Sequence, residues 1–234
     1  MVDWLIAGLV FFHVATGSVA LVTFWLPLMV KKGQRTHRVT GRVFAISMIA
    51  AGLTAMFLAS FHLTAAEWVN GTPETRLTLG WMMLYLGFLS TVLVLFGLKT
   101  VRNKGRHYLY NTTWIVGLHG ALAALAIWIF WLGWSHSELL LIGVSFIAFL
   151  MVPGNIRFIL RQSQPAPGRL RREWLYQHFT SMIGAGIAAY SAFLSFGAAL
   201  FMPTLAFNPY LWTIPTILGV SFMLWLAKRQ PRYD

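Results

Sequence analysis

Lys31-Lys32-Gly33-Gln34-Arg35-Thr36-His37-Arg38-Val39-Thr40-Gly41-Arg42 is the stretch that decides the fold. It sets a dense basic segment between two long apolar runs, residues 4–30 and 43–66, neither of which holds a Lys, Arg, Asp or Glu. A helix needs roughly 20 apolar residues to cross a bilayer, because every backbone polar group must be bonded within its own segment. Five further runs follow at residues 77–98, 108–134, 139–156, 174–202 and 209–227, which makes seven.

The charges alternate with the runs. Lys31, Lys32, Arg35, Arg38 and Arg42 follow the first run, and Lys99, Arg102, Lys104 and Arg106 follow the third. Arg157, Arg161, Arg169, Arg171 and Arg172 follow the fifth, and Lys228, Arg229 and Arg232 follow the last. The other gaps hold Arg76 with Asp3, Glu67, Glu74 and Glu138. Cytoplasmic loops retain Lys and Arg. The expected fold is therefore all-α: a polytopic transmembrane bundle of seven helices. Its N-terminus lies outside, its C-terminus inside, and residues 1–234 form a single domain.

Composition agrees. The chain is 58% hydrophobic and 10% charged, against about 25% charged for soluble domains. The net charge of +12 sits in short inner loops, where it sets topology and meets anionic lipid. The expected partner is the bilayer, not nucleic acid, and no protein partner can be named. The absence of cysteine excludes disulfides, thiolate metal sites and a Cys nucleophile. Met-Val-Asp-Trp lacks a basic leader, so the first run is expected to anchor the chain and not to be cleaved. Asn70-Gly71-Thr72 fits a glycosylation triplet and is assigned no role. Gln164-Pro165-Ala166-Pro167-Gly168 lies in the longest gap, residues 157–173, and reads as a flexible link.

Trp4, Trp68, Trp81, Tyr108, Trp134, Trp174, Tyr210 and Trp212 fall at run ends, as membrane-interface anchors do. Ala51, Ala55 and Ala59 form one small-residue stripe, and Gly184, Ala188 and Ala192 another; both suit close helix contact. Pro27, Pro153 and Pro215 lie in or near runs and are expected to kink them.

Intramembrane ionisable residues are costly and usually functional. No Lys, Arg or carboxylate lies deep in any run, so the seven His carry the chemistry. At ~1.5 Å per residue, His13 is about 14 Å from the outer end of its run. On the same rise, His119 is roughly 16 Å from the inner end of its own. Both reach the midplane of a core about 30 Å thick. Two neutral imidazoles at one depth suit a haem b iron with two axial His. Gly17 and Ala123 each follow a His by four residues and leave an open face beside it. The alternative is that each His bonds a backbone carbonyl, Ser or Thr within the bundle. His37, His107 and His178 near the inner surface, or His62 and His136 with Glu67 and Glu138 near the outer, are weaker Zn²⁺ or Cu²⁺ sets.

In the basic segment, Thr40 is expected to cap the second helix, and Gly33 and Gly41 to permit tight turns. Arg38 is the expected clamp for a lipid phosphate or haem propionate, since Arg binds anions bidentately. The alternative is a topology signal with a cap. The expected cofactor site is thus His13, His119, Gly17, Arg38 and His178, with His13 and His119 as metal ligands.

His13 with Gly17, the Lys-Gly and His37-Arg38-x-x-Gly41-Arg42 segment, and Trp174, Gln177-His178, Ser181-Met182, Tyr190 and Ala192-Phe193 carry a resemblance. Together they resemble an uncharacterised bacterial family of multi-pass membrane proteins. The resemblance covers most of the chain. It implies a bacterial cytoplasmic (inner) membrane setting and the topology above, and implies no activity. The middle departs from the pattern: Arg106-His107-Tyr108 stands where a second His-Arg pair is expected.

Two functional readings follow. One is electron transfer by haem b, or another flat redox cofactor such as a quinone, held between His13 and His119. The other is a cofactor-free transporter or sensor of a small apolar or anionic molecule, with a His-lined cavity. A zinc-type intramembrane hydrolase would need an Asp on a span, and none is present.

Overall fold

The computed structural model describes residues 2–65, 72–104, 106, 113–161, 167–197 and 208–229. Among these residues the chain is all α. The helices are α1 (Val2–Met29), α2 (Arg35–Thr64), α3 (Pro73–Asn103), α4 (Thr113–Ser135), α5 (Leu139–Ile159), α6 (Pro167–Ala192) and α7 (Pro209–Arg229). A π-helical turn, Phe193–Gly197, prolongs α6. Six of the seven, all but α6, are long and apolar enough to cross a membrane by length and composition. α6 opens with Arg169, Arg171, Arg172 and Glu173, and residues 198–202 of its apolar run lie outside the described residues. The chain is a helical, multi-pass membrane protein.

The basic residues expected in loops are largely helical. Arg35, Arg38 and Arg42 form the first turns of α2, Lys99 and Arg102 end α3, and Lys228 and Arg229 end α7. Lys and Arg are good helix formers whose long stems carry the charge to water while the backbone stays helical. An apolar run stops at the first cation, whereas the helix continues through it. The α1–α2 connection thus shrinks to residues 30–34 and turns at Gly33, with φ of 79°. Thr40 is not the cap. It lies inside α2 and donates to Thr36 O (2.8 Å), while the cap position is Gln34, whose side chain makes no capping bond. Gly41 also lies within α2 and makes no turn. The link expected across residues 157–173 narrows likewise, since α5 runs to Ile159 and α6 starts at Pro167.

Contacts group the chain into two compact units, Met1–Thr91 and Val92–Asp234, with the division inside α3. In the first unit α1 lies along α2, and α2 meets the middle of α3 at a glycine crossing. A Cβ on Gly52 would stand 2.8 Å from Gly87 O, and one on Gly87 would stand 2.6 Å from Gly52 O. Only paired glycines let two backbones come this close. Ala51, Ala55 and Ala59 are all buried, as the stripe predicts. α1 itself is mostly exposed, with Trp4, Phe11, Val22 and Met29 facing outward and Ala20 its one buried apolar residue among those described. That distribution suits a helix whose outer face meets hydrocarbon.

In the second unit α4 and α5 form an antiparallel hairpin. Glu138 N–H donates to Gly133 O (2.8 Å), and Ser137 takes the left-handed conformation at φ 57°. α6 pairs with α7. Phe96, Ile115, Phe158 and Ile159 form a core cluster with Val116 and Trp174 against it. Most of the buried polar side chains are in this unit, His119, Asn155, Gln177 and Ser181 among them. Burying polar groups in an apolar bundle costs free energy unless they find partners, so this cluster is where function is sought.

Candidate functional site

His119 is 1% exposed and engages both ring nitrogens. Nδ1 lies 2.9 Å from Ile115 O, one turn back on α4. A carbonyl only accepts, so Nδ1 carries the hydrogen and Nε2 of the neutral ring is an acceptor. Asn155 Nδ2 donates to that Nε2 across to α5 (3.3 Å). Phe96 packs edge-on against the ring at 4.9 Å between centroids, and Phe96 in turn meets Phe158. In this arrangement His119 offers no lone pair to a metal.

His13 is held differently. Nδ1 donates to Ala51 O (3.0 Å), with Thr54 Oγ1 3.3 Å away. Its Nε2 has no partner among the described residues. A Cβ added at Gly17 would meet nothing within 4 Å, so the face beside His13 is open, as its spacing predicts. His13 and His119 belong to different compact units.

His178 donates from Nδ1 to Gly97 O (2.9 Å), and a Cβ added at Gly97 would meet Met182 and Ser181. His119 packs on Phe96 and His178 bonds the next residue's carbonyl, so the two histidines hold adjacent positions of α3. His107 lies outside the described residues. Among the described residues no three His, Asp or Glu gather in a group that could hold a metal ion.

The basic segment has a structural task. Helix α1 ends with unsatisfied carbonyls and the negative end of its dipole. Lys32 Nζ donates to Pro27 O (2.7 Å) and Leu28 O (2.6 Å), and His37 Nδ1 donates to Pro27 O (3.1 Å). Partial desolvation at this helix end holds the Lys32 amine below its ordinary pKa. Arg38 is exposed, and its side chain has no partner among the described residues. Lys32 and His37, not Arg38, are the side chains that close the hairpin.

A sizeable cavity lies among the described residues of the second unit, at the end of α5, the start of α6 and the end of α7. Its volume is about 720 Å³, within the range of small-molecule sites. Arg157, Arg161, Glu173, Gln177 and Lys228 supply its polar lining, and Phe158, Tyr176, Leu224 and Ala227 its apolar walls. Arg161 and Glu173 form an ion pair. Arg157 and Lys228 have no ion-pair partner among the described residues. Gly154 opens onto the space, since a Cβ there would meet nothing within 4 Å. Phe158 is both a wall of this cavity and part of the packing that reaches His119.

The chain matches no family model, and no curated protein or solved structure matches it. The functional reading therefore rests on the chemistry of the site. Sequence reasoning passed over Asn155 and Gln177 because it weighed only ionisable residues. The signal was present, since each is an amide side chain inside an apolar run. Arg157, Arg161 and Lys228 were seen only as topology signals, because nothing in their spacing shows that three helix ends converge.

Proposed function

We propose that this chain is a seven-span protein of a bacterial cytoplasmic membrane, N-terminus outside and C-terminus inside. In this reading it is a transporter or sensor that takes a small anionic molecule into the inner-end cavity of its second unit. One observation carries it: a cavity of about 720 Å³ whose lining holds Arg157 and Lys228 without a carboxylate partner among the described residues. Arg157 offers a planar fork and Lys228 a point charge, a combination that suits carboxylate or phosphate. Gly154 leaves the space clear, and Leu224 and Ala227 give it an apolar side.

The test is binding by the purified protein in neutral detergent, read as thermal stabilisation by phosphatidic acid and by phosphatidylglycerol over phosphatidylcholine. Each cation removed, Arg157→Gln or Lys228→Gln, should weaken anionic binding roughly tenfold or more. Gly154→Leu, which fills the cavity, should weaken it without altering charge. Lys31→Gln is the control for general surface charge. Equal weakening by Lys31→Gln and by Arg157→Gln would refute the reading.

A second reading keeps haem b, because His13 has an anchored Nδ1, an unpartnered Nε2 and open space at Gly17. Those features fit one axial ligand. His119 does not fit as the other while Asn155 occupies its Nε2. Oxidised and reduced absorption spectra of protein from haem-replete cells decide this reading. A sharp reduced band lost in both His13→Ala and His119→Ala would support it, and a colourless protein would end it.

A further inference from the structure

Gln177 carries the next step, which rests on the anion-binding reading of the same cavity. Its side chain is 8% exposed, lines the cavity, and finds no hydrogen-bond partner among the described residues. The amide is thus available to an occupant of the cavity it lines. The charge count adds a constraint. Three cations, Arg157, Arg161 and Lys228, stand against one carboxylate, Glu173, which is already paired with Arg161. Among the described residues, two positive charges and one amide donor therefore remain for an occupant.

We infer that the occupant is a phosphate monoester on an apolar carrier, with Gln177 as the residue that selects it. A phosphate monoester brings a charge of about −1.5 to −2 and three terminal acceptor oxygens. Those numbers match Arg157, Lys228 and the Gln177 amide one for one. A carboxylate or a phosphodiester brings one charge and two such oxygens, and so leaves one cation or the amide unmatched. The apolar carrier lies along Phe158, Leu224 and Ala227. Arg157 and Lys228 also sit in last helical turns, where cations offset the helix dipole. That role needs no Gln177 and prefers no phosphate class, so the amide separates the two.

The experiment titrates the purified full-length protein with phosphatidic acid, a monoester, and phosphatidylglycerol, a diester, with glycerol phosphate as the soluble arm. The wild type should bind phosphatidic acid at least about tenfold more tightly than phosphatidylglycerol, the effect of one charge-assisted hydrogen bond. Gln177→Leu, close in size and without the amide, should erase that preference, and Gln177→Asn or Gln177→Glu should not restore it in full. If glycerol phosphate binds as tightly as phosphatidic acid, the apolar carrier is overturned and the ligand is a soluble monoester. If both lipids bind equally and Gln177→Leu changes neither, while Arg157→Gln weakens both, the monoester inference falls and the anion-binding reading survives. If no anion binds, both fall. Gln177→Met, which keeps the length and the helix, guards against a folding defect in Gln177→Leu.

Discussion

Asn155→Leu tests the buried polar pair most directly. The change keeps side-chain volume nearly constant and removes the donor that faces His119 Nε2 at 3.3 Å. His119 is 1% exposed and Asn155 3% exposed, so water does not replace the lost partner without local opening. Leaving a buried acceptor unpaired costs about 1–3 kcal/mol. Interhelical polar bonds within membranes average about 0.6 kcal/mol and reach about 1.7 kcal/mol in double-mutant cycles. The expected single-variant loss is therefore about 1–2 kcal/mol, at the lower end of the first range, because the unfolded chain in a micelle also finds partners. A cycle of Asn155→Leu, His119→Leu and the double variant isolates the pair. Its coupling energy is expected at about 0.6–1.7 kcal/mol, with the double variant less impaired than the two losses added. The assay is reversible unfolding in mixed micelles followed by tryptophan fluorescence. A coupling energy indistinguishable from zero would show that the two side chains do not meet, and the account of His119 would fail with it.

Lys32→Met and His37→Leu should each loosen the α1–α2 hairpin by about 0.5–1.5 kcal/mol through lost bonds to the end of α1, whereas Arg38→Lys should be silent; unfolding of the same protein in mixed micelles measures all three. Gly52→Ala and Gly87→Ala should cost about 1–3 kcal/mol by forcing the α2–α3 crossing apart, while Gly17→Ala, with open space around it, should cost nothing measurable in the same assay. Ser181→Ala should be neutral or stabilising, because the Ser181 hydroxyl is buried without a hydrogen-bond partner among the described residues; a loss above about 1 kcal/mol would mean that the hydroxyl is bonded. Reporter fusions after Arg35, Lys104 and Arg169 should score as cytoplasmic, and fusions at Asn70 and Glu138 as external; one reversed loop would overturn the charge reading.

The all-α, multi-pass architecture was legible from the apolar runs, because hydrocarbon excludes unpaired backbone polar groups. The small-residue stripe at Ala51, Ala55 and Ala59 was legible too, since helical spacing alone puts those residues on one face. Helix ends at the basic segments were not. Hydropathy cannot tell a charged helical turn from a charged loop, and Thr40 was assigned the cap for that reason. For the histidines, sequence located the residues within their helices and left open what each nitrogen meets. His13 kept an open face at Gly17, as its spacing predicts, whereas His119 met Asn155 from α5, a residue 36 positions away. The partner of a buried ring depends on which helices adjoin and how each is turned about its axis. No local pattern encodes that rotation. The cavity has the same origin, because Arg157, Gln177 and Lys228 lie on three helices whose ends only packing brings to one space.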